Sequence, residues 1–441
     1  MISDLKPYSE YKDAKAAWLG LVPAQWGYLR AKYLFREVDE RSSTGSEELL
    51  SVSHLTGVTP RSQKTITMFL AETNVGHKVC RPGDVVINTM WAWMGALGVS
   101  RHVGLVSPAY GVYRPLAGSA VLQGYAHHLL RTPAYAAEYQ RRSTGVNSSR
   151  LRLYPEQFLG VEILAPPHDE QAAIVRFLDR AMQVSDHFIR TKKKQVALLG
   201  EARQSVAEEA LRSPGTKSVR LEAVAEVVER TINRQRHEIY TPVGLFNRGR
   251  GIFHKEPTRG EDLGDSTFSW IEEDDLVLSG QFAWEGAIAL ASSRDTGCVA
   301  SHRYPILRGR PQHVSSAVLL AFFKTQFGAL LLDQHSRGAA GRNRPLNVRS
   351  LLKEKVPIPP LAAQQRVREL VLLETRLVDS VGSLIQSIRE YRARLFADVV
   401  TGKLDVREAA ARLPEEVALD MGEEEIDESI DPEAADEEAV L

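Results

Sequence analysis

The stretch "APPHDEQAAIVRFL" at residues 165–178 returns as "IPPLAAQQRVRELV" at residues 358–371. From Pro166 to Pro359 is 193 residues, nearly half of the 441-residue chain. Each copy sets a Pro-Pro pair (Pro166-Pro167, Pro359-Pro360) just ahead of an amphipathic run. Proline lacks an amide hydrogen and clashes with the preceding helical turn, so each pair predicts a sharp helix start. In the first copy His168-Asp-Glu170 looks like a metal or acid/base trio. Acids in a first turn also favour the positive end of the helix dipole, and a helix opening is the simpler reading.

The echo extends upstream. Ser143-Thr-Gly145 precedes Ser336-Arg-Gly338 by the same 193 residues. "DVVINTMWAWMGA" (84–96) matches "DLVLSGQFAWEGA" (275–287) at an offset of 191, and Val106 matches Val299 at 193. A period this long means a duplicated domain pair rather than a solenoid. "GDVVIN" and "DDLVLS" predict strands, residues 120–143 and 316–336 predict helical stretches, and the glycine-rich 104–118 and 242–265 predict loops.

Downstream of each Pro-Pro pair the pattern becomes helical. Val367, Glu374, Val381, Ile388 and Leu395 recur every seventh residue, with Leu370, Leu377, Leu384 and Tyr391 as a second row. That spacing predicts a coiled-coil helix. The first copy carries Ile174, Phe177, Ala181, Val184 and Phe188, then Leu199, Ala202, Val206 and Ala210 after "TKKKQ" (191–195). Glu201-Ala-Arg203 matches Glu390-Tyr-Arg392 at an offset of 189, so the first helix holds four extra residues, a stutter that keeps the seam on one face. Two such helices can pair antiparallel, as a rod with a globular domain at each end.

The formal net charge of −1 hides a division. Residues 415–441 carry 13 acids and no base, which leaves 43 acids against 55 bases on residues 1–414, about +12. A basic body predicts a polyanionic partner, nucleic acid first; the tail predicts a disordered acidic run. No 18-residue apolar run predicts a membrane span, and the start of the chain has no apolar core of a signal peptide. Cys80 and Cys298 form no metal spacing, so an intracellular, zinc-free protein without disulfides is expected.

Catalytic motifs are missing. No Asn/Asp-Pro-Pro-aromatic phrase occurs, and "SPAY" (107–110) lacks the second proline. There is no GxGxxG, no GxxxxGK[ST] and no convincing nuclease cluster. His127-His128 has no carboxylate at helical spacing and reads as surface or core.

The order globular domain, long helix, globular domain, long helix resembles the specificity subunit of type I restriction–modification enzymes. "WLGLVPAQW" (18–26) resembles that family's entry motif, and "EILAPPHDEQAAIVRFLDR" resembles the start of its central conserved helix. "LIQSIREYRARLFADVVTGKLDV" resembles its C-terminal conserved helix, ending in Val400-Thr-Gly-Lys403. The likeness covers about residues 15–407. Ala363 stands where the first copy has Glu170, and Leu211-Arg-Ser-Pro-Gly215 replaces the Val-Thr-Gly phrase in the first copy.

The resemblance implies an α+β fold: two globular target-recognition domains separated by a long antiparallel coiled coil, with a pseudo-twofold repeat. The expected boundaries are 1–165, 166–213 (central helix), 214–358, 359–407 (C-terminal helix) and 408–441 (acidic tail). It implies a non-catalytic cytoplasmic subunit that binds no cofactor. Each recognition domain reads half of a bipartite double-stranded DNA target, while the helices set the spacer and dock two methyltransferase subunits. Those would carry S-adenosylmethionine, and motor–endonuclease subunits would use ATP and Mg²⁺. The alternatives are a standalone methyltransferase or nuclease with degenerate motifs, and a coiled-coil adaptor that binds no DNA.

Polar and basic loop residues are the candidates for DNA contact, since arginine and asparagine read base edges and glycine-rich basic loops approach phosphates closely. In the first half these are Arg61, Gln63, Lys64, Asn88, Thr89, Arg141, Arg142, Ser143, Asn147 and Arg150. In the second they are Asn247, Arg248, Arg250, Lys255, Gln281, Ser336, Arg337, Arg342, Asn343 and Arg344. Trp93 and Trp284, at equivalent places, read as structural.

Overall fold

In the computed structural model the described residues are 5–14, 16–54, 56–63, 73–145, 151–338 and 344–414. The chain divides into two compact units. Unit 1 takes the residues up to His187 and those from Ser387 onward; unit 2 is Phe188–Gln386. The acidic run of residues 415–441 lies outside the described residues.

Both units carry the same four-stranded antiparallel sheet. In unit 1 the order is Phe35–Glu37, Gly111–Pro115, Val85–Ile87, Leu97–Val99. In unit 2 it is Ala225–Val227, Ile306–Gly309, Leu276–Leu278, Ile288–Leu290. The duplicated aspartate at the head of each central strand is buried for a reason. Asp84 accepts Arg81 N and two hydrogen bonds of 2.9 Å from the guanidinium of Arg114 on the adjacent strand. Asp275 accepts Glu272 N and pairs with Arg230 and Arg308 at 2.6 and 3.0 Å. A buried carboxylate of this kind is tolerable because guanidinium forks satisfy it.

The helical stretches resolve into pairs. Gln123–Leu130 and Pro133–Arg142 break at Thr132-Pro133, while Ser316–Phe323 and Gln326–Gln334 bend by 84°. Thr325 caps the last helix by accepting Gly328 N. No single described helix is long and apolar enough to cross a membrane, and Ser316–Phe323 is buried throughout. The regions expected as loops hold short strands instead: Gly104–Val106 and Gly111–Pro115 in unit 1, Val243–Leu245 and Ile252–His254 in unit 2. Two to five residues of alternation between glycines are too few to register as a period.

The two Pro-Pro pairs do precede helices, His168–Leu211 and Leu361–Val400. Beside each pair a glutamine locks the junction. Gln171 donates through Nε2 to Ala120 O and Pro166 O, and Gln364 donates likewise to His313 O and Pro359 O. The second helix ends at Val400, and Arg407–Ala411 is a separate short helix.

The two helices pack antiparallel inside each unit. In unit 1 Arg392 pairs with Asp186 at 2.5 Å, and Leu395, Val399 and Val400 join the core of Ile174, Phe177 and Leu178. In unit 2 Arg203 pairs with Glu374 at 2.6 Å, while Val367 and Val371 meet Ala207 and Ala210. The matched arginines of the repeat thus play matched parts.

The seam itself needs a correction. Val367, Glu374, Val381 and Leu395 are buried as expected. Their companions are Val371, Ile385 and Val399, which sit in the heptad row one position beyond the expected Leu370, Leu377, Leu384 and Tyr391. Leu384 and Tyr391 are exposed by 37% and 46%. Both rows are largely apolar, so hydrophobicity alone does not choose between spacings of three and four. On the first helix Val184 and Phe188 are likewise exposed.

Unit 1 also brings residues that precede unit 2 against residues that follow it. Glu170, only 4% exposed, accepts hydrogen bonds from Tyr8 Oη, Gln25 Nε2 and Trp26 Nε1, and Arg407 stands 3.5 Å away. Gly402, at φ 80°, lies so close to Pro23 and Trp26 that a Cβ would meet them at 2.4 and 3.0 Å. That explains the glycine of Val400-Thr-Gly-Lys403: the left-handed turn and the close approach both exclude a side chain.

Candidate nucleic-acid interface

In each unit the central strand runs into a tight turn that carries the repeated tryptophan. The turns are Ala92–Met94 and Ala283–Glu285, each closed by a left-handed glycine, Gly95 or Gly286. Trp93 Nε1 donates to Met90 O at 3.0 Å and Trp284 Nε1 to Gln281 O at 3.1 Å. The tryptophans brace the turns, as the sequence reading expected. A later segment closes on each turn identically: Leu153 N donates to Thr89 O, and Leu346 N to Gly280 O.

The unit 2 turn is where separately named residues converge. Arg344 lies 4.7 Å over the Trp284 ring, pairs with Asp333 at 2.8 Å and donates to Ser336 O. Asn247 Nδ2 donates to Glu285 Oε2 at 2.9 Å, and Arg250 donates to Asn247 O and stacks on Phe246. Gln281 is half-buried on the turn, and Arg337 is exposed. Lys255 is exposed and lines a cleft that adjoins the turn. The side chain of Arg248, and Arg342 and Asn343 entirely, lie outside the described residues.

Unit 1 is arranged alike with different residues. Arg61 and Gln63 form a short turn, and the charge of Arg61 acts on Tyr110, whose hydroxyl accepts Asn88 Nδ2 at 3.1 Å. Burial pushes that Tyr110 hydroxyl above its ordinary value, with Arg61 opposing. Arg141 and Arg142 share the buried carboxylate of Glu138 at 2.7 and 2.6 Å. Burial opposes ionisation of Glu138, but those two hydrogen-bonded guanidiniums hold its pKa below the usual carboxylate value. Lys64, Asn147 and Arg150 lie outside the described residues.

Several expected contacts turn inward. Asn88 and Ser336 are buried. Thr89 spends its hydroxyl on Ala109 O and Ser143 on Tyr139 O. Short polar side chains beside tight turns find local backbone partners first, as Asn88, Thr89 and Ser143 do, while the Ser336 hydroxyl is simply buried. Missing from the sequence reading were Met90 and Trp91, exposed by 37% and 36%, and Arg152, whose Nη2 reaches Met90 Sδ at 3.9 Å. The available signal was a second tryptophan on the turn, since one bracing ring leaves the other without a core position. Among the described residues no group of three or more His, Cys, Asp or Glu side chains can hold a metal. Cys80 and Cys298 are free and buried, and burial pushes the Cys80 thiol up to about 11.

No family model matches the sequence, and no curated protein is detectably similar to it. Solved structures are. A chain from a study of complex assembly and conformational transition of the type I restriction–modification system superposes with a TM-score of 0.50 at 15% identity, covering 87% of this chain and 99% of that one. The HsdS subunit from Thermoanaerobacter tengcongensis gives 0.41 at 16%, covering 87% and 98%. The S subunit of a type I system from M. genitalium gives 0.45 at 13%, covering 85% and 96%. The first of these likenesses shows that the fold is shared over nearly the whole of the other chain.

Proposed function

We propose that this chain is the DNA sequence-specificity subunit of a type I restriction–modification complex. Each unit reads one half of a bipartite duplex target, and the helices that run through both units set the spacer. One observation carries the reading: the same strand, tryptophan turn and closing segment are built twice, with different polar and basic side chains around each copy. A scaffold held constant under changed contact residues is what two readers of different half-sites require.

The chain itself is the non-catalytic part. S-adenosylmethionine belongs to two methyltransferase subunits, and ATP and Mg²⁺ to motor–endonuclease subunits. The exposed apolar row of the second helix, with Leu373 at 48% and Leu384 at 37%, suits the docking of partner helices. The complex acts on the genome in the cytoplasm.

Sequencing the methylome of the host with and without this gene tests the reading. Loss of N6-methyladenine at one bipartite motif is expected. An unchanged methylome sinks it, as does methyl transfer to DNA by the purified chain alone.

A further inference from the structure

Unit 2 holds a cleft of about 360 Å³ beside its tryptophan turn. Lys255, Thr258, Asp262, Phe268, Arg303 and Tyr304 line it, among others. Lys255 and Arg303 are exposed, and neither side chain has an ion-pair or hydrogen-bond partner among the described residues. With Asp262 as the one carboxylate on the lining, its side chains sum to +1.

The cleft is continuous with the candidate interface. Gly280 N donates to Arg303 O at 2.7 Å, and Gly280 O accepts Leu346 N from the closing segment. Unit 1 makes the equivalent contact from Thr89 Oγ1 to Ala109 O. Strand pairing agrees: Tyr113 stands opposite Val85 as Leu307 stands opposite Leu276, which puts Ala109 in the place of Arg303. One reader therefore carries a free guanidinium where the other carries a methyl group.

We propose that Lys255 and Arg303 together bind a backbone phosphate of duplex DNA at this cleft, and so hold unit 2 in register beside its reading loops. The inference rests on the DNA-recognition reading above. Two unpartnered cations at the rim of one open recess suit a phosphodiester, and such contacts position a protein on DNA without reading sequence.

The test uses the full-length chain, as isolated from its host, with Lys255→Ala, Arg303→Ala and Arg303→Lys. Two labelled duplexes serve as probes, one carrying the motif found in the methylome and one scrambled. Each alanine variant is expected to weaken binding to both duplexes by the same factor. Each should also flatten the dependence of log K on log salt by about 0.9. Arg303→Lys should keep the wild-type slope. Equal melting temperatures check folding, and a variant that melts early is replaced by Arg303→Gln. If wild type binds the motif while both alanine variants keep its affinity and slope, the phosphate site is wrong and the function stands. A loss confined to the motif duplex also overturns it, making Arg303 a base reader. Wild type that binds neither duplex removes both readings.

Discussion

Glu170 shows what a residue's neighbours add to its sequence. The sequence places it in a helix's first turn, and there it is. It also accepts three side-chain hydrogen bonds from residues more than 140 positions away, which no local pattern records. Ala363 in the second copy was the available hint, because a helix-opening acid needs no such asymmetry. Glu170→Ala strands the buried indole N–H of Trp26 and should cost unit 1 about 2–3 kcal/mol, read as a shift in urea midpoint at constant slope. His127, read from sequence as surface or core, makes a second case. Burial, reinforced by Arg131 beside it, holds its imidazole well below the ordinary value. Below about pH 6.5 the unfolded chain therefore takes up a proton that the folded unit refuses. Stability should fall with pH there, by up to about 1.4 kcal/mol per pH unit from this group. Urea titrations of wild type and His127→Gln across pH 5–7 isolate the contribution. Parallel curves would assign the acid sensitivity to other groups.

The long helices were legible from their heptads, and their pairing from the repeat. The partner row was not, because Leu370 or Val371, and Leu384 or Ile385, fill a seam equally well in one dimension. Tertiary contact decided. The seam also keeps Glu374, where Arg203 at 2.6 Å and Lys324 at 3.5 Å surround one buried carboxylate. Burial holds the Lys324 pKa below its ordinary value, with Glu374 opposing. Glu374→Gln leaves two cations uncompensated and should destabilise by about 3–5 kcal/mol in chemical denaturation. Replacing Glu374, Arg203 and Lys324 together with Leu, Met and Met should recover most of that loss. If the triple variant is no more stable than the single one, the cost comes from packing rather than from stranded charge. The short strands were poorly legible for the opposite reason: three residues between glycines carry too little pattern.

At the scale of the molecule the duplication was the most legible feature, since a 193-residue echo needs no structure to be seen. Side chains that present polar groups outward were the least legible: Arg303 gave no signal beyond its charge, and Asn88 and Ser336 gave a misleading one. The four-residue difference between the helices belongs to this scale. Deleting Lys192 to Gln195 shortens the first helix by about 6 Å. The expected outcome is a changed spacer in the methylated motif or loss of methylation, and an unchanged motif would refute the proposal that the helices set the spacer. The joining of residues from before and after unit 2 in one core has a consequence for synthesis. Unit 2 is one uninterrupted stretch, complete once Gln386 has left the ribosome. Unit 1 takes residues from both sides of unit 2 in the sequence, and Leu395, Val399, Val400 and Val406 of its core are translated only after unit 2. Its apolar face waits open through the synthesis of everything between, exposed to aggregation. A chain truncated after unit 2 should therefore hold a folded unit 2 beside a unit 1 that cannot close its core, a difference limited proteolysis would read.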